Sequence, residues 1–87
     1  MMAATFSTDE TREHFAYCVQ LFGGTTAFSR RLGIDERAIR RFMNGERPLG
    51  AGLLGDTAKA LRQLIAEATA AEAQIAATLG AEPNDPS

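Results

Sequence analysis

Glycines set where this chain stops being helical. Through most of its length apolar residues recur at steps of three and four, the spacing that one face of an α-helix requires. The recurrence is cut at Gly23-Gly24, at Gly33 and at Asn44-Gly45. Glycine takes a left-handed helix-closing conformation without a Cβ penalty, so the cuts predict three short helices in a row. The first starts at a capping box, Ser7-Thr8-Asp9-Glu10, in which Ser7 accepts from the N–H of Glu10 while Glu10 reaches back. It runs to about Phe22, with Phe15, Cys18 or Val19, and Phe22 as its apolar stripe. Thr25 or Thr26 caps the second, which ends at Leu32 and buries Ala27, Phe28 and Leu32. Gly33 supplies a turn, Ile34 enters the core, and Asp35 caps a third helix that ends at Asn44-Gly45. Pro48 then keeps the chain extended.

A fourth helix is predicted from Gly50 or Ala51 to about Leu79. Leu54, Ala58, Leu61, Ile65, Ala68, Glu72, Ile75 and Leu79 form a heptad seam with one polar break at Glu72, and Leu53 and Leu64 widen it near the start, where it is expected to pack on the first three helices. At about 1.5 Å per residue such a helix would span about 42 Å, longer than a small domain. Either it breaks or its distal half packs on another chain. The seam thus has two readings: a domain core with a solvated, Ala-rich end, or a homodimer joined through Ile65, Ala68, Ile75 and Leu79.

The 87 residues suffice for one all-α domain with little margin, which leaves room for dimerisation to add stability. The expected organisation is a flexible lead at 1–6, a helical domain at 7–64, a C-terminal helix extension at 65–79 and a disordered tail at 80–87. Nothing approaches the apolar length of a membrane span, and the N-terminal stretch lacks the basic and apolar segments of a secretory signal. The lone cysteine, Cys18, excludes an internal disulfide and fits a reducing compartment, so a cytoplasmic location is expected. His14 and Cys18 stand four residues apart, but no other His or Cys exists to complete a metal site or a Cys–His pair. They read as a surface and a core residue. No metal, cofactor or catalytic set is expected, and an enzyme is disfavoured.

The net charge of −2 argues against indiscriminate polyanion binding, but the charge is unevenly placed. Arg30, Arg31, Arg37, Arg40, Arg41 and Arg47 stand against Asp35, Glu36 and Glu46 in the centre, while both flanks are acidic. On the third helix Arg37, Arg40, Arg41 and Asn44 share one face, with Ile39, Phe42 and Met43 opposite. A guanidinium front on an apolar back, behind a glycine turn, suits insertion into the DNA major groove. The competing reading is that the arginines only solvate a helix face.

The residues Gly23, Gly24, Thr26, Phe28, Ser29, Arg30, Leu32, Gly33, Ile34, Arg37, Arg40, Arg41, Phe42, Asn44, Gly45, Arg47 and Pro48 carry a further signal. Over about Leu21 to Leu64 the chain resembles the lambda repressor and Cro-like helix-turn-helix family, also called Xre, and in particular its small prophage and proteobacterial regulators. The family's small position in the second helix is usually Ala and is Ser29 here; its first position is often Gln and is Thr25 here. The resemblance implies a domain of four to five helices, ending here in a long C-terminal helix. It also implies a transcriptional regulator of the nucleoid, commonly a repressor that binds a palindromic operator in double-stranded DNA as a homodimer.

In that docking mode the start and outer face of the third helix meet base edges. Glu36, Arg37, Arg40 and Arg41 are the expected base-contacting residues, with Arg37 and Arg40 suited to bidentate guanine readout. Glu36 either accepts from cytosine N4 or orients Arg40 through an i, i+4 pair. Thr25, Thr26, Arg31, Asn44 and Arg47 are the expected phosphate contacts, and Arg30 is placed for a salt bridge within the domain. Members of this family also serve as antitoxins, so a protein partner such as a toxin is the alternative reading.

Overall fold

The computed structural model describes residues 8–80 as four helices: α1 (Thr8–Leu21), α2 (Thr25–Leu32), α3 (Glu36–Met43) and α4 (Ala51–Gly80). Among the described residues there is no strand, so the chain is all-α, with a helix-turn-helix-like arrangement of short helices and one long C-terminal helix. The lead, Ser7 of the capping box and residues 81–87 of the tail lie outside the described residues. Gly80, assigned to the tail from sequence, is instead the last residue of α4.

Phe15 and Val19 of α1, Phe28 of α2 and Ile39 of α3 are the fully buried centre. Around it pack the half-buried Phe22, Leu32, Ile34, Phe42, Met43, Leu49 and Leu53. Burying each central side chain contributes about 1.5–3 kcal/mol. Phe28 meets two neighbouring rings edge to face, Phe15 at 5.5 Å and 85° and Phe22 at 5.2 Å and 63°. Such edge-to-face contacts add direction to area burial. Cys18 and Val19 are both buried, so the stripe of α1 is wider than either alternative alone.

The turn between α2 and α3 is closed from both sides. Gly33 adopts φ 71° and ψ 32°, and its N–H donates to Ser29 O at 2.8 Å. The N–H of Ile34 donates to the same carbonyl at 3.2 Å, and the Ser29 hydroxyl donates to Ile34 O at 2.6 Å. The expected turn glycine is therefore in the left-handed conformation that L side chains avoid. Ser29 thus clamps the turn through both its carbonyl and its hydroxyl.

Two capping expectations are corrected. The N-cap of α2 is Gly24, not Thr25 or Thr26, and no side chain caps it. Thr25 already belongs to the helix, because the carbonyl of Gly24 accepts the first helical bond, from Phe28 N at 2.9 Å. Asp35 does hold the N-cap position of α3, but its side chain makes no capping bond; its carbonyl accepts from Ile39 N at 3.1 Å.

The face that α4 turns to the domain is corrected in part: Leu53, Leu64 and the seam residue Leu61 are half-buried as expected, but the rest of the seam is not. Thr57 and Ala60 are buried and Leu53, Leu61 and Leu64 half-buried, whereas Leu54 and Ala58 of the seam are exposed. The domain-facing stripe sits roughly a quarter turn from the seam, at about 100° per residue. Thr57 is polar and yet buried, because its hydroxyl donates to Leu53 O at 2.8 Å and is satisfied inside the helix. Helix α4 does not break. Its last attachment is an ion pair from Arg31 Nη2 to Glu67 Oε1 at 2.8 Å, and every residue from 65 to 80 is exposed.

Candidate nucleic-acid interface

Helix α3 packs on α1 and α2 and is held through Ile39, which is fully buried. Phe42 and Met43 flank it, half-buried. That fixes the helix rotation. At about 100° per residue, Arg37, Arg40, Arg41 and Asn44 then fall within an arc of about 100° on the far side, and all four are exposed. The eight-residue helix thus joins an apolar anchor to a basic outer face.

The arginines on this face differ in their partners. Arg37 takes part in no ion pair among the described residues. Arg40 Nη2 lies 3.1 Å from Glu36 Oε1, which is the i, i+4 contact anticipated as one of two roles for Glu36. The Arg40 side chain remains 62% exposed, so this pair holds the guanidinium in place without covering it. Arg41 Nε stands 3.8 Å from Glu46 Oε1, a long and solvent-screened pair.

The end of α3 is a tight turn built by Asn44. Its Oδ1 accepts from Glu46 N at 3.0 Å and its Nδ2 donates to Glu46 Oε2 at 3.3 Å. Asn44 therefore ends the helix, as expected of Asn44-Gly45, through side-chain bonds to Glu46 as well as by its backbone, beside its place on the basic face. Arg47 lies over the ring of Phe42, with Cζ 5.1 Å from the centroid, a cation–π arrangement that aims the guanidinium along the surface.

Thr25 and Thr26 form the first turn of α2, Thr26 exposed and Thr25 half-buried, so backbone and hydroxyl donors are presented together there. The salt bridge within the domain is expected at Arg30 and is found at Arg31. The Arg31 guanidinium also lies 5.7 Å over the Phe22 ring, and Arg30 takes part in no ion pair among the described residues. The reason is helical phase: Arg31 shares the α2 side that meets α4, and sequence alone does not say where α4 crosses.

Behind the far end of α3 lies a cleft of about 340 Å³, bounded among others by Thr8, Arg12, Phe42, Arg47 and Leu49. Among the described residues no group of three His, Cys, Asp or Glu could hold a metal ion, and no helix is long and apolar enough to cross a membrane. Burial pushes the Cys18 thiol above its ordinary range, which keeps it protonated and unreactive. Comparison with family models, curated proteins and solved structures finds no match to this chain.

Proposed function

We propose that this chain is a sequence-specific regulator of transcription that reads double-stranded DNA with α3 in the major groove. The observation that carries the reading is the buried Ile39 anchor behind an exposed arc of Arg37, Arg40 and Arg41. The resemblance of residues 21–64 to the lambda repressor and Cro-like family supports it. Arg37 and Arg40 read guanine edges, each good bidentate pair contributing about 1–3 kcal/mol of discrimination. Arg41 and Glu36 act beside them, Glu36 mainly by orienting Arg40. Thr25, Thr26, Asn44 and Arg47 hold phosphates, and the first turn of α2 adds backbone N–H donors. Arg31 contributes least to DNA, since Glu67 already neutralises it. Two copies on a palindromic operator, most simply as a repressor in the nucleoid, complete the reading. A protein-interaction role, such as an antitoxin, is the second reading; it draws on the exposed distal half of α4.

The test is enrichment from random duplex DNA at about 150 mM salt, comparing the wild type with Arg40→Ala. A palindromic consensus that disappears in a folded Arg40→Ala variant is the expected result. Retention of the same consensus by that variant removes Arg40 from the readout. Absence of any enrichment from folded wild type transfers the weight to the protein-interaction reading.

A further inference from the structure

We propose that two copies of this chain pair antiparallel through α4, in the register that sets Leu54 of one against the partner's Leu79. The proposal rests on the two-copy reading above for its purpose, but the pairing itself needs no DNA.

The first observation is the face left open. Leu54, Ile65, Ile75 and Leu79 are four of the six large apolar side chains exposed among the described residues, at 36%, 63%, 61% and 61%. All four belong to the heptad seam; the domain covers the neighbouring stripe and, of the seam, half-buries Leu61 alone. From residue 65 onward every residue of α4 is exposed, and its tie to the rest of the chain is the Arg31–Glu67 ion pair. An isolated helix of that length is marginal in water, so a continuous α4 calls for a surface to lie on.

The second observation, charge placement, selects a second copy and its direction. Glu72 is the one polar residue in the seam, and neither it nor Arg62 takes part in an ion pair among the described residues. Parallel pairing in register sets Glu72 against the partner's Glu72, two like charges in an apolar seam. Antiparallel pairing with Leu54 against the partner's Leu79 sets Glu72 against the partner's Leu61 and brings it beside the partner's Arg62. Symmetry makes that contact twice. The same register sets Ile65 against the partner's Ala68, so that a large residue meets a small one. It alone matches every seam position with another. A shift by one heptad leaves one end of the seam unpaired and separates Glu72 from the partner's Arg62.

The third observation concerns the outcome for the domains. Arg62 lies on the flank of the seam away from the domain, and Thr57 and Leu64 lie on the domain flank. In an antiparallel pair like flanks face one another. Both domains therefore rise from the same side of the helix pair, related by a two-fold axis, as two half-sites of one palindrome require.

The experiment uses the full chain without DNA. Leu54→Cys and Leu79→Cys proteins are mixed under mild oxidation; Cys18, buried in the core, does not compete. The expected product is a mixed disulfide between the two variants. Self-cross-linking of Leu79→Cys alone indicates parallel pairing and overturns the proposal. Preferential linkage of Leu79→Cys to Leu61→Cys overturns the register. In parallel, sedimentation is measured for Arg62→Glu, Glu72→Arg and the double variant. Each single reversal is expected to raise the dimer dissociation constant about tenfold or more, and the double variant to restore it. A double variant no better than the singles, or a wild type that stays monomeric at high concentration, refutes the pairing. Operator enrichment that persists in a monomeric wild type separates failure of this proposal from failure of the DNA reading.

Discussion

Substitution of Gly33 isolates the backbone cost of the turn that sets α3 against α2. Gly33 sits at φ 71°, and a Cβ added there meets no atom within 4 Å. No collision is involved, so only the conformational term remains. A left-handed residue with a Cβ costs about 1–2 kcal/mol. Reduced freedom of the unfolded chain returns about 0.4–1 kcal/mol of that for alanine. Gly33→Ala is therefore expected to lose about 1 kcal/mol, or about 4–8 °C in Tm for a domain of this size. Asparagine tolerates the left-handed region, so Gly33→Asn is expected to stay within about 0.5 kcal/mol of wild type. Gly45 supplies the contrast. It too has positive φ, at 86°, but a Cβ there comes within 3.1 Å of Arg12 Nη1. Gly45→Ala adds a steric term to the conformational one and should lose more than Gly33→Ala unless the Arg12 side chain moves aside. Thermal unfolding followed by circular dichroism measures all three. Equal losses for Ala and Asn at Gly33 would show that something other than backbone conformation matters there, and the reasoning would fail.

The other expectations follow from single contacts. Ile39→Ala leaves a cavity beneath the basic face and should cost about 2–5 kcal/mol in urea denaturation; a loss below about 1 kcal/mol would mean that α3 is not anchored there. Ser29→Ala removes the bond to Ile34 O, worth about 1 kcal/mol, and regains about 0.5 kcal/mol of helix propensity. A net loss of about 0.5 kcal/mol is expected, and a gain in stability would show that the clamp contributes nothing. The Cys18 thiol, held protonated by burial, should react with a thiol reagent only as fast as the protein opens. Because its folded value lies above the ordinary 9.0, its contribution to stability is complete below that pH and is lost as pH rises beyond it. Stability unchanged across that alkaline range would contradict the burial argument.

Much of this molecule was legible in its one-dimensional pattern, for a local reason. Helix breaks at Gly23-Gly24, Gly33 and Asn44-Gly45 depend on residues that act on their own backbone, so the bounds of α2 and α3 were readable to within a residue. The basic arc of α3 was readable too, because helical periodicity alone puts Arg37, Arg40 and Arg41 opposite Ile39. What depends on where one helix crosses another was not readable. The seam beginning at Leu54 and the stripe beginning at Leu53 are both helical in period and differ only in phase. The domain takes the stripe of Leu53, Thr57, Ala60 and Leu64, of which Leu53 and Leu64 were readable as apolar residues beside the seam, while the buried Thr57 is tolerated because its hydroxyl is satisfied by its own helix. That choice left the other seam open. It also decided which arginine is taken: α4 crosses beside Arg31 rather than Arg30, so Glu67 neutralises the first. Local chemistry thus determined the elements and the composition of their faces. Only the packed structure decided which face meets which, since relative rotation and crossing position are set by contacts between residues far apart in the chain.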